Sequence, residues 1–416
     1  RKGLSYFRKG SAMRKAFFII TFLIGELTGF QNHPTDSVIN RIIDTPLRYP
    51  IRFAYVADSR NSFDPNDPSA DSIFSLIKET INEISPLFVV HGGDFVQRGY
   101  TWEYNHFLNV IDSFETNLLT VRGNHELYAD EGPYLYDSLF GETDYYFDYG
   151  GYRFIFLADC QQDSLIDPYY GTHRIDYFIS EEQIEWLDSL LTEADSLGYW
   201  AFVFAHVPPY LPGHDTTYCL GYYYYYPRPN YSLSHTQEFT DLLRDHNVIA
   251  GLFGHQHFYD RWTYQGVLYL ISGGGGSPLV YPLQPPPYGA YVHHFLLFEL
   301  DSTYSITVKF YEAGSFLPDP QFTFTYSVEV EEESTSGPPE ITTTQTLILE
   351  RGQPIPLISD RISGTAYLYD ISGKRIGEII GGSTTLWTDE LSPGIYFLTY
   401  RFPGGVKLLR IIILPG

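Results

Sequence analysis

Six side chains along this sequence carry the donor types of a metal site: Asp58, Asp94, Asn124, His206, His255 and His257. Carboxylate and amide oxygens with imidazole nitrogens, and no sulfur, suit Mn, Fe, Zn or Ni rather than Cu(I). Six donors exceed the needs of one four-coordinate ion, and a carboxylate can bridge. Two ions about 3.5–4 Å apart would be able to share a hydroxide and activate it for in-line attack on phosphorus. His125, next to Asn124, is then placed to act near a leaving group without ligating metal.

Each donor closes an apolar run. IRFAYVA leads into Asp58, LFVVHGG into Asp94, LLTVRG into Asn124-His125-Glu126, WAFVFA into His206, and VIAGLFG into His255-Gln256-His257. In an open α/β sheet, ligands gather at the carboxyl ends of the strands, so five such strands would bring the donors to one rim. Helical spacing fills the gaps. Ile73, Leu76, Ile77, Ile81 and Ile84 repeat at three and four until Pro86. Ser180 with Gln183 forms a capping box for a helix carrying Ile184, Leu187, Leu190, Leu191 and Ala194, closed by Gly198. Ser234 with Gln237 suggests the same start before Phe239, Leu242 and Leu243. This alternation over residues 45–260 predicts an α/β domain. After His257 come the β-rich runs GVLYLIS, HHFLLFEL and YSITVKFY. Gly273–Gly276 is expected to be a flexible turn beside the site; no Gly-Lys-Ser/Thr follows to make it a nucleotide phosphate loop.

With 416 residues the chain fits two domains, and 44% hydrophobic content is enough for a sizeable core. A formal charge of −24 disfavours nucleic acid and anionic lipid as partners, whereas a small phosphorylated substrate would feel mainly the bound ions. Met13 is the only methionine, so residues 1–12 are expected to lie outside the natural product. Arg14-Lys15 followed by the apolar stretch Ala16–Ile24 reads as a signal peptide within 1–29, a run short for a stable membrane span; the alternatives are an anchor or a buried strand. Cys160 and Cys219 exclude a thiolate zinc cluster and would either pair after export or stay separate thiols.

GGDFVQRG, RGNHE, AHVPPY and GHQH, in that order after Asp58, resemble the calcineurin-like metallophosphoesterase family, which includes the purple acid phosphatases. The resemblance covers about residues 50–300 and implies a two-sheet α/β sandwich, with the catalytic domain taken as 45–315. It further implies that Asp94 bridges two metal ions, that Asn124, His206 and His255 complete the second position, and that Asp58 and His257 belong to the first. The family's equivalent of His125 assists the leaving group or steadies the transition state. YLISGGGGSPLVYP also resembles family members as the loop after the last ligands.

Two positions depart from the pattern. Many members carry Asp-x-His at the first strand end, where this chain has Asp58-Ser59-Arg60. Arginine stays protonated and cannot ligate, so the first position keeps Asp58, Asp94 and His257. Arg60 would either clamp the substrate phosphate through its planar donors or form a structural ion pair. Purple acid phosphatases place a tyrosine three residues after the bridging Asp; Gln97 stands there, so no tyrosinate-to-iron colour is expected. His91 and His106 match no ligand position and read as structural, while His214 lies in a loop that would be able to reach substrate. The tyrosines of 222–226 would form either an aromatic wall for a base or sugar, or packing over the sheet edge.

Residues 329–340 are acidic and aperiodic, a linker. Residues 341–416 alternate short apolar runs with turn residues, which predicts a small β-sandwich. YLYDISGKRIGEI and LSPGIYFLTYRFPGGVKLLRIIIL resemble the type A sorting domain of type IX secretion, implying the secretion machinery as a partner; a carbohydrate-binding or adhesive module is the alternative. The expected protein is an exported phosphomonoesterase using a metal-bound hydroxide at a dinuclear centre. A phosphodiesterase with the same site, or a metal-bearing surface protein without catalysis, are the other readings.

Overall fold

The computed structural model describes residues 34–327, except 61–68, 169–170, 214, 217 and 222–234, together with the strands and Ser392 of a C-terminal segment. The expected signal peptide, linker, His214 and Tyr222–Tyr226 lie outside the described residues. Among the described residues no helix is long and apolar enough to cross a membrane.

Two sheets face each other. The first has the order β15-β14-β13-β1-β2-β3, where β1 is Ile51–Val56, β2 Phe88–His91, β3 Asn117–Thr120, β13 His294–Leu300, β14 Ser305–Glu312 and β15 Asp319–Ser327. The second runs β12-β10-β11-β9-β8-β5-β4, with β4 Tyr145–Tyr149, β5 Tyr152–Phe156, β8 Trp200–Phe204, β9 Val248–Phe253, β10 Tyr259–Tyr264, β11 Val267–Ser272 and β12 Gly289–Ala290. A separate hairpin joins β6, Cys160–Ile166, to β7, His173–Tyr177.

Register explains the core between the sheets. Phe53 lies opposite Phe88 on β2 and Phe298 on β13, and its ring stacks on both, with centroids 5.1 and 4.5 Å away. On the second sheet Phe154 and Phe202 are likewise register partners and stack at 5.6 Å. The two sets meet edge to face, Phe53 against Phe154 at 5.7 Å and against Phe202 at 5.4 Å. Offset and edge-on contacts are the favoured geometries of such rings, so alternating phenylalanines lock the sheets together.

Helices cover the outer faces. α2 (Ser69–Ile84), α3 (Thr101–Ile111) and α4 (Gly132–Leu139) bury Phe74, Ile77, Phe107, Leu108 and Leu135 on the first sheet. α5 (Glu181–Leu197) and α6 (Thr236–Asp245) bury Leu187, Leu191, Phe239 and Leu243 on the second. α5 starts and stops as predicted: Ser180 accepts from Gln183 N, Gln183 bonds back, and Gly198 closes the helix left-handed at φ 69°. α6 differs. Its N-cap is His235 in a left-handed conformation with no side-chain cap, and Ser234, on which the expected capping box rests, lies outside the described residues.

This unit is wider than the expected 45–315. α1 (Thr35–Asp44) buries Val38, Ile39 and Ile42 in the inter-sheet core, and β15 extends the first sheet to Ser327. Among the described residues the elements of the C-terminal unit are all strands, as its turn spacing predicts. Strands β16 (Gln345–Glu350), β18 (Ala366–Asp370), β19 (Arg375–Ile379), β21 (Gly394–Phe402) and β22 (Gly405–Leu414) form one sheet in the order β16-β22-β21-β18-β19. β17 (Pro354–Pro356) and β20 (Thr385–Trp387) form a second, smaller one.

Candidate metal centre

β1, β2 and β3 are parallel, as are β8 and β9, so the residues after each strand share an end. The five strand ends belong to two sheets rather than to one. The donors therefore converge where the carboxyl edges of the two sheets meet, which a single open sheet does not provide.

The turns are held tightly. Asp58, Asp94 and His255 have positive φ, 61°, 58° and 68°. Non-glycine residues avoid this region unless their surroundings over-determine it, and such strain gathers at functional sites. Asp58 N donates to Gly93 O at 3.0 Å, and His255 N donates to Asp58 Oδ2 at 2.9 Å. The turn at 273–276 lies beside the site as expected, but it is buried rather than loose: Gly275 N donates to Ala57 O and Ser277 N to Asp58 O, both at 2.8 Å. Two glycines are required by close approach. A Cβ at Gly123 would sit 2.3 Å from Asp94 Oδ1, and one at Gly254 would sit 2.6 Å from Asp58 Oδ2.

Asp94 is the hub. Its Oδ1 lies 3.2 Å from His206 Nε2 and accepts from His125 N at 3.0 Å. Among the described residues, Asp94, His206 and His255 form a group whose ligand atoms all lie within 4.8 Å of one another. Asn124 Oδ1 joins them, 2.9 Å from His255 Nδ1, while Asn124 Nδ2 donates to Tyr128 Oη at 3.0 Å. His206 Nδ1 donates to Gly92 O at 2.8 Å, which leaves Nε2 as the ring nitrogen that faces Asp94. That Nε2 is buried against the carboxylate. The pair favours a cation between them, a proton on Nε2 or a metal ion that displaces it. These four residues fit one transition-metal ion.

Electrostatics agree. Burial alone would lower the basicity of His206, but Asp94, then Asp58 and Asp159, lift its pKa to about 10. Burial raises the Asp94 carboxyl, yet His206, His125 and Arg60 together hold it well below the usual range. Asp58, buried and near Asp94, is pushed up to about 7. The carboxylates thus create a negative field that favours positive charge at the centre.

Asp58 and His257 stand apart from this group. His257 Nε2 is 3.5 Å from Asp58 Oδ1, and its Nδ1 donates to Pro278 O at 2.8 Å. Arg60 is nearly buried: Nη1 donates to Gln97 Oε1 at 2.8 Å, Nη2 lies 3.4 Å from His257 Nε2, and Nε lies 3.5 Å from Asp94 Oδ2. His125 Nδ1 meets Gln97 O at 2.5 Å, so Nε2 faces the site, 3.7 Å from Asp94 Oδ2. Burial and then the charge of Arg60 hold the His125 pKa down to about 3. His91 is buried with Nε2 2.9 Å from Ser59 Oγ, and His106 pairs with Asp71. Cys160 and Cys219 are separate buried thiols.

Two supporting carboxylates escape the motif reading. Glu126 accepts the backbone N–H groups of Asp94, Phe95, Val96 and Gly123, tying the Asp94 turn to the Asn124 turn. Asp159 accepts from His206 N and Val207 N and steadies the β8 end. The signal for Asp159 was present in the sequence: YRFIFLA is a sixth apolar run that closes on an Asp.

A family model described as calcineurin-like phosphoesterase matches residues 51–259, half of the chain, and the chain belongs to that family. The family is dimetal-dependent. No curated protein sequence matches significantly. Among solved structures, the chain is similar to a purple acid phosphatase from yellow lupin (Lupinus luteus), with 17% identity and a TM-score of 0.50 over 66% of this chain and 53% of that one. The chain thus spans about half the length of the lupin enzyme. A dimetal phosphatase from Danio rerio matches at 15% identity and a TM-score of 0.48, over 68% of this chain and all of that one.

Proposed function

We propose that the protein hydrolyses phosphate monoesters at the Asp94-centred site. The observation that carries this reading is the convergence of Asp94, His206 and His255 within 4.8 Å, with Asn124 adjoining and a neutral imidazole, His125, beside them. Asp94, Asn124, His206 and His255 would hold an ion, which when bound supplies Lewis-acid polarisation and brings the pKa of a water toward neutrality. Asp58 and His257 are the ligands that the family pattern assigns to a second ion.

The chain's own residues do the rest. Arg60 offers planar donors to the phosphoryl oxygens, and its hydrogen bond to Gln97 holds the guanidinium in place. With Nδ1 committed to Gln97 O, His125 presents Nε2 to the leaving oxygen. A bound phosphate dianion opposes the burial and the Arg60 charge that keep His125 neutral, so Nε2 gains basicity where a proton is needed. Nε2 takes up a proton from solvent as the ester binds, and the imidazolium so formed passes it to the departing alkoxide. A monoester, with two anionic charges, gains more from Arg60 than a diester does.

The test is turnover of an aryl monoester against a bis-aryl diester after loading with Mn, Fe, Zn or Ni. Preference for the monoester supports the reading, and preference for the diester makes the protein a diesterase. Bound metal with hydrolysis of neither would leave a metal-bearing binding protein. We also propose export directed by Ala16–Ile24 and sorting directed by 341–416, supported by their sequence pattern and by the described strands of the C-terminal unit. Secreted protein found by mass spectrometry without the C-terminal unit supports sorting; a retained unit with glycan affinity supports a binding module.

A further inference from the structure

The two oxygens of Asp94 meet different neighbours. Oδ1 faces His206 and the nitrogen-rich group, where the donors converge. Oδ2, the oxygen a bridging carboxylate would extend to another ion, has the Arg60 guanidinium 3.5 Å away through Nε. The same guanidinium reaches His257. Because Nδ1 of that ring donates to Pro278 O, its Nε2 lone pair is what an ion would use, and Arg60 Nη2 lies 3.4 Å from it. Arg60 therefore addresses two of the three donors left to the first position.

Its placement is fixed by the backbone and by Gln97. Arg60 N donates to Asp94 O at 3.0 Å, Ser277 Oγ donates to Arg60 O at 3.2 Å, and Gln97 Oε1 accepts from Nη1 at 2.8 Å. Nε is buried and makes no hydrogen bond; its contact with Asp94 Oδ2 at 3.5 Å is an ion pair only. Asp58, Asp94 and His257 do not fit a divalent ion with a guanidinium in this position, since a permanent cation already neutralises their field.

Building on the phosphoesterase reading, we propose that Arg60 replaces the first metal ion. The chain then binds one ion, at Asp94, Asn124, His206 and His255, and holds the phosphoryl group between that ion and the Arg60 guanidinium. Arg60 contributes a fixed charge and directional donors in place of a second Lewis acid. Its Nε–H, which makes no hydrogen bond of its own, is the donor that a phosphoryl oxygen would take.

The full chain, saturated with Mn2+ and gel-filtered, should carry one Mn per chain by elemental analysis. Its low-temperature EPR spectrum should show isolated Mn(II) without exchange coupling. Asp58→Asn should leave the content at one, and His206→Ala should abolish it. Arg60→His restores a ligand nitrogen and should raise the content to two, with exchange coupling. Arg60→Ala, with its fold checked by circular dichroism, should bind a second Mn at least tenfold more tightly than the parent chain. Inorganic phosphate should inhibit Arg60→Ala at least tenfold less well in its one-ion form. Two coupled ions in the parent chain, or loss of the single ion in Asp58→Asn, would overturn the substitution while leaving the phosphoesterase reading intact. No bound ion at all, with no hydrolysis, would overturn both.

Discussion

Gly123 has no side chain, yet adding one methyl there should impair metal binding. Its backbone is not in the left-handed region, so alanine meets no conformational penalty, and the replacement would ordinarily stabilise by about 0.4–1 kcal/mol through the unfolded chain. The obstacle is space. The new Cβ would lie 2.3 Å from Asp94 Oδ1 and 2.7 Å from Asp94 N. Ordinary contact begins at 3.4 Å, so Oδ1 must retreat by roughly 1 Å. The backbone nitrogen cannot give way cheaply, because Asp94 N is bonded to Glu126 at 2.9 Å. Ligand positions tolerate about 0.2 Å, so a displacement of that size removes Asp94 as an effective ligand. Gly123→Ala should lose about 1–3 kcal/mol of stability by overpacking and bind Mn2+ at least tenfold more weakly. Urea unfolding and calorimetric titration of the same preparation read the two effects. Mn2+ affinity within twofold of the parent chain, together with unchanged or raised stability, would refute the reasoning.

The remaining expectations concern a proton donor, an acid-sensitive ring and a colour. His125→Ala should lower kcat by about 10²–10⁴-fold with metal content unchanged, read by steady-state kinetics alongside elemental analysis. His294, outside the metal centre, is buried between Ser272 Oγ and Val292 O, and burial lowers its pKa to about 4. Its folded pKa lies below its unfolded value, so the unfolded chain binds the extra proton and stability falls as pH drops from about 6.5 through 4. The ring accounts for roughly 3 kcal/mol of that loss by pH 4, and His294→Gln should flatten the corresponding part of a stability-against-pH curve. Iron-loaded protein should show no tyrosinate charge-transfer band in the visible, because Gln97 occupies the position and bonds Arg60 instead.

The sequence made the donors legible because strand ends in α/β folds are where chemistry collects, and six donors each follow an apolar run. What it left hidden is geometric. Apolar periodicity cannot say that β1, β2 and β3 belong to a different sheet from β8 and β9, since both sheets bury both faces. It also could not choose between two roles for Arg60; in the structure Nε forms an ion pair with Asp94 Oδ2 at 3.5 Å, without a hydrogen bond, and the phosphate clamp is the role we propose. Glu126 shows a further limit. A carboxylate inside a ligand motif looks like another ligand, but its oxygens are taken by four backbone amides. At α6 the N-cap is His235 in a left-handed conformation, a local choice that side-chain spacing does not encode.

The central claim is that hydrolysis runs through the Asp94 hub. The most direct measurement is turnover of an aryl phosphate monoester by the parent chain and by Asp94→Ala, each stripped of metal by chelation and then resupplied with Mn2+. The account predicts activity that returns with Mn2+ in the parent chain and falls by at least a thousandfold in Asp94→Ala. Asp94→Ala that still hydrolyses the ester at the parent rate would contradict it.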